Sequence, residues 1–151
     1  MATNVLRVMG LILAAILAAL PASAQNADEI VQACVEAMGN TVERTAHQVG
    51  VATNHGIRVI NQLDDEGASD RALIGAARRA VGNIDHQAGQ GARQIAAIAA
   101  RTVQALRRID AEDRYFEAVA VAKHRAMNGI QSARRRGSAA VGAALQEALD
   151  D

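Results

Sequence analysis

The only proline of the chain is Pro21, so no later position is barred from a helix interior by a missing N–H or a fixed ring. Apolar and small side chains then recur in steps of three and four. Val31, Val35, Met38, Val42, Thr45, Val49, Ala52, Gly56, Val59 and Leu63 form one such line. Ile74, Ala77, Val81, Ile84, Ala88, Gly91, Ile95, Ile98, Thr102, Ala105 and Ile109 form a second. This is the spacing that keeps one face of a helix against a neighbour. Between the lines, Asp64-Asp65-Glu66-Gly67-Ala68-Ser69 interrupts the stepping. Gly67 suits a helix stop, and Ser69 or Asp70 suits a helix start. Asn26 with Glu29 three residues on resembles a capping box at the first helix start. The spacing predicts helices over about 26–64 and 70–109, each about 60 Å long. Equal lengths and a short turn favour an antiparallel hairpin.

A third line, over about 111–149, runs Phe116, Val119, Ala126, Ile130, Ala133, Gly137, Ala140, Ala144. It is in phase with the second, and Glu112 and Lys123 are the only charges the shared line meets. Two arrangements follow. Helix 2 runs through Asp110 as one rod, or the chain folds back at Asp110-Ala111-Glu112-Asp113. A further break near Gly137-Ser138 would set off a short last helix. The expected fold class is all-α: long heptad-patterned antiparallel helices, as a coiled-coil hairpin or an elongated three-helix bundle. The bundle is favoured, because a lone hairpin buries little. A sheet-rich fold would need more aromatic and β-branched residues than a chain whose only aromatics are Tyr115 and Phe116. That pair is expected as a local plug at the start of the third helix.

The N-terminal residues read as an address. Arg7 precedes an apolar run, Val8 to Leu20, followed by Pro21-Ala22-Ser23-Ala24. Small residues at 22 and 24 suit a signal peptidase, so residues 1–24 are expected to be a cleaved secretory signal peptide. A retained anchor is the alternative, but the run is short of the ~20 residues a spanning helix needs. Residues 25–151 then form a single helical domain, periplasmic or extracellular, with formal charge −1. Its lone Cys34 is either a small buried thiol or a candidate intermolecular thiol.

Charge is divided unevenly. Residues 26–70 carry net −6, whereas residues 71–136 carry net +8. Fifteen of the sixteen bases are arginine. They cluster at Arg78-Arg79, Arg107-Arg108 and Arg134-Arg135-Arg136, the candidate interaction residues. These clusters are a solvated face attracted to the acidic first helix, or a surface for anionic membrane or envelope polymers. Nucleic acid is not expected as a partner, since no aromatic platforms interleave with the bases. Gly75, Gly82 and Gly89 recur every seven residues. Each costs a helix about 1 kcal/mol relative to alanine, so they are candidate close-packing positions.

No constellation of chemistry emerges. His47, His55, His86 and His124 stand in no metal-ligand spacing with one another or with Glu. There is no CxxC, GxSxG or phosphate-loop pattern. No cofactor or metal is expected, and the chain is not expected to be an enzyme. The large aliphatic side chains are few for an elongated fold, which favours a homo-oligomer. The expectation is an exported helical interaction or structural protein that self-associates. A peripheral binder of anionic surfaces is the alternative.

Overall fold

The computed structural model describes residues 27–150; the signal peptide expected over residues 1–24 and the capping residue expected at Asn26 lie outside the described residues. Three helices follow one another: α1 (Ala27–Asp65), α2 (Asp70–Arg108) and α3 (Asp113–Asp150). They contain 39, 39 and 38 residues. Each is therefore about 58 Å long. Each packs against both of the others, so the chain is an all-α three-helix bundle. α2 runs antiparallel to α1 and α3, which are parallel to one another. α1 and α3 begin, and α2 ends, at the lower end of the bundle.

Both turns are built alike. At the first, the Gly67 N–H donates to the Asp64 carbonyl (2.8 Å) and the Ala68 N–H to the Leu63 carbonyl (2.9 Å). Gly67 has φ +65°, the left-handed conformation that ends a helix in this motif. At the second, the Asp110 N–H donates to Arg107 (3.3 Å) and the Ala111 N–H to Leu106 (3.1 Å). Here a non-glycine residue, Asp110, takes the left-handed position at φ 52°. Aspartate is among the few residues that tolerate it. The chain therefore folds back at Asp110 rather than continuing as a rod. No break interrupts α3 near Gly137, the alternative the sequence left open: the helix passes through it.

Buried positions on α1 are Ala27, Ile30, Cys34, Met38, Thr41, Thr45, Val49, Thr53, Gly56 and Ile60. Steps of four dominate this line, and it departs from the expected heptad line. Val31, Val42, Ala52, Val59 and Leu63 flank the core half-buried, and Val35 is 48% exposed. A strict seven-residue repeat drifts about 20° per heptad on a straight helix. These helices keep their own period, and the core line follows it.

Small residues set the spacing in the middle of the bundle. Gly56 lies against Ala80 and Val141, Gly91 against Thr45 and Ile130, and Gly137 against Thr53, Val49 and Ile84. A methyl group on any of the three would meet an atom of another helix. The hydroxyls of the buried threonines find partners in their own helices. Thr41, Thr45, Thr53 and Thr102 donate to Ala37, Thr41, Val49 and Ile98 carbonyls at 2.8, 2.7, 2.8 and 3.0 Å. Among the described residues no buried side-chain polar atom is left without a partner. The core is thus narrow and fully satisfied, which leaves the outer faces as the places where partners can act.

Candidate interaction surfaces

Two surfaces stand out. The first is a groove between the lower halves of α1 and α3. Val31, Val35, Met38, Gly39, Val42 and Glu43 line it from α1. Ala118, Val121, Ala122, Arg125 and Ala126 line it from α3. Its volume is about 610 Å³. Gly39, Ala118, Ala122 and Ala126 leave room between its walls, and nothing lies within 4 Å of a side chain added at Gly39. Val35 and Val121, 48% and 49% exposed, stand open at its mouth. Glu43 and Arg125 supply one charge on each wall. The arrangement suits an apolar side chain or helix edge flanked by charges.

The second surface is the outer face of α2. At 3.6 residues per turn, Arg71, Arg78, Arg79, Arg93, Arg101, Arg107 and Arg108 fall within an arc of about 140°. The arc is centred opposite the buried line of α2. All seven are exposed. Asp85 lies at the edge of this arc, where it pairs with Arg134 of α3 at 2.6 Å. The Asp85 carboxylate, through its hydrogen bond and charge, raises the Arg134 pKa. Arg136 donates to Ser132 at 3.0 Å. The three-arginine cluster therefore divides: Arg134 is held in an ion pair, while Arg135 and Arg136 remain on the solvent side of α3.

Gly75, Gly82 and Gly89 lie on the same outer face of α2. Only the side chains of Arg79 and Arg93, one helical turn away, come within 4 Å of a methyl at Gly75 or Gly89, and nothing does at Gly82. Within the bundle the close approaches are made not at these three but at Gly56, Gly91, Gly129 and Gly137. The difference is one of phase. Gly56, Gly91 and Gly137 sit on the apolar lines, whereas the periodic trio sits opposite the core.

Cys34 is 3% exposed and lies beside Thr102 of α2. Burial pushes its thiol pKa up, partly offset by the Thr102 hydroxyl. A disulfide to another chain requires a sulfur at the surface, whereas the Cys34 sulfur is enclosed in this bundle. Tyr115 and Phe116 are half-buried against the lower end of the core. The Arg114 guanidinium lies 4.8 Å from the Tyr115 ring centre and pairs with Glu112 at 3.2 Å.

All four histidines are exposed. His86 and His124 contact Gln90 and Asn128 of their own helices at 2.8 and 3.0 Å. Among the described residues no three of His, Cys, Asp and Glu gather as a metal ion would require. No helix among them is long and apolar enough to cross a membrane. Sequence reasoning missed the groove. The available signal was Val121, a large apolar residue standing off the third apolar line. No protein-family model matches the chain, and no curated protein or solved structure is similar enough to match it.

Proposed function

We propose that the chain is an exported, non-catalytic helical interaction protein that associates with itself. One observation carries the reading: the groove between α1 and α3 leaves Val35 and Val121 uncovered beside one charge of each sign. A second copy related by a two-fold axis along the bundle would set α1 against α3 of the other chain. Val35 of each copy then meets Val121 of the other, and Glu43 faces Arg125. Covering each valine contributes about 1 kcal/mol, since half of its surface is already buried. The N-terminal apolar run and small-residue cleavage pattern support export. Light scattering on residues 25–151 tests the reading. The wild type should gain mass with concentration, and Val35→Asp or Val121→Asp should gain clearly less at each concentration with unchanged helix content. A monomeric wild type at every concentration would overturn it.

A second reading draws support from the arginine arc of α2. Seven guanidiniums on one face can meet phosphate or carboxylate groups of an anionic membrane or envelope polymer. Co-sedimentation with anionic vesicles or an acidic polysaccharide that weakens with salt would support it. Equal recovery with neutral vesicles would remove the membrane version.

A further inference from the structure

The hairpin register places opposite charges level on two outer faces that point away from each other. Cys34 meets Thr102, Thr45 meets Gly91, and Gly56 meets Ala80. Each step up α1 is therefore one step down α2. On this register Glu29 is level with Arg107, Glu36 falls within one residue of Arg101, and Asp65 is level with Arg71. Glu29, Glu36 and Asp65 lie within about 30° of the direction opposite the buried line of α1. The three arginines belong to the outer arc of α2. All six side chains are exposed. Among the described residues, none of the six makes an ion pair within the chain. Gln32 Nε2 donates to Glu36 Oε1 at 3.3 Å along the same ridge.

We infer that α1 of one copy docks along α2 of the next, side by side and without axial shift. The inference rests on the reading that the chain self-associates, and it names a surface separate from the apolar groove. Equal levels are what make the fit. Glu29 and Glu36 are about 10 Å apart along α1, and Arg107 and Arg101 are about 9 Å apart along α2. Two bundles with parallel axes bring both pairs together at once, and Asp65 reaches Arg71 about 54 Å above Glu29. One position opposes the fit: Arg58, on the same ridge of α1, falls level with Arg78. Among the arginines of this face Gly82 is open, with nothing within 4 Å of a methyl there, whereas the Arg79 and Arg93 side chains lie near Gly75 and Gly89. The contact uses different faces on the two copies. It therefore adds chains head to tail and does not close at a dimer.

Sedimentation velocity on residues 25–151, at about 50 mM and about 500 mM salt, tests this with four variants. Glu36→Arg and Arg101→Glu should each weaken association about tenfold, because an attractive pair becomes a repulsive one. The double variant should restore it, since each reversed side chain meets the other on the neighbouring copy. Arg58→Glu should strengthen association several-fold by removing the one opposed pair. Circular dichroism checks that these exposed substitutions leave the fold intact. Single reversals equal to wild type, or a double variant no better than its singles, would overturn the lateral contact and leave the groove as the self-association surface. A wild type that stays monomeric would overturn the lateral contact and self-association together.

Discussion

Gly91→Ala and Gly82→Ala are the same chemical change on the same helix, and the structure assigns them opposite signs. Replacing a helical glycine by alanine gains about 0.8–1 kcal/mol from reduced backbone entropy in the unfolded chain. At Gly82 nothing lies within 4 Å of the new methyl, so the full gain is expected. At Gly91 the methyl overlaps Thr45 Oγ1 and Cγ2 and lies 3.0 Å from Ile130 Cδ1. Thr45 cannot swing aside cheaply. It is 2% exposed, and its hydroxyl donates to the Thr41 carbonyl at 2.7 Å. Overpacking of this kind costs about 1–3 kcal/mol, and a lost buried hydrogen bond adds about 1. The net for Gly91→Ala is a loss of about 1–3 kcal/mol. For a domain of this length, 1 kcal/mol moves Tm by about 4 °C. Thermal unfolding followed by circular dichroism should place Gly82→Ala about 4 °C above wild type and Gly91→Ala about 4–12 °C below it. An increase for both variants would refute the close approach of α1, α2 and α3 at this layer.

Other substitutions test separate parts of the account. Asp110→Gly should stabilise the bundle by about 1 kcal/mol, because it relieves a left-handed non-glycine residue, while Gly67→Ala should cost about 1 kcal/mol at the matching turn; urea midpoints measure both. Cys34 should react with a thiol reagent only as fast as the bundle opens, and Thr102→Ala should not expose it. Its pKa is raised on folding, so the unfolded chain loses this proton first. Stability is fully present below the ordinary thiol value of 9.0 and declines as pH rises through and above it. Cys34→Ser should remove that decline in pH-dependent urea titrations.

The helix positions were legible because their signals are local. The first turn was marked by Gly67, and the ends of all three helices fall within a residue or two of the expected ones. The second turn was harder to read. Asp110 ends α2 without glycine or proline, and the second and third apolar lines are in phase, so a straight rod and a fold-back present the same pattern. Periodicity misled at the glycines, where recurrence every seven residues drew attention to the outer trio. Membership of the apolar line was the better guide for Gly56, Gly91 and Gly137, whereas Gly129, which meets Val42, stands beside that line. The heptad reading placed Val35 in the core because an assumed period of 3.5 drifts against the helix's own 3.6. That single misplacement concealed the groove, since its mouth is Val35 facing Val121. The charge division between residues 26–70 and 71–136 was visible in the sequence, but the outward direction of both charged rows was not. It depends on which side of each helix the core takes.

The fold-back at Asp110 is what places α3 beside α1 and forms the groove, so a distance across the upper end tests the account most directly. Asn61 of α1 and Gln146 of α3 are exposed, and Gly56 against Val141 sets them level. Spin labels at these two positions, diluted with unlabelled protein and read by pulsed electron resonance, should lie within about 30 Å, as adjacent helices require. A distance near 100 Å, the value for α2 and α3 joined as one rod, would contradict it.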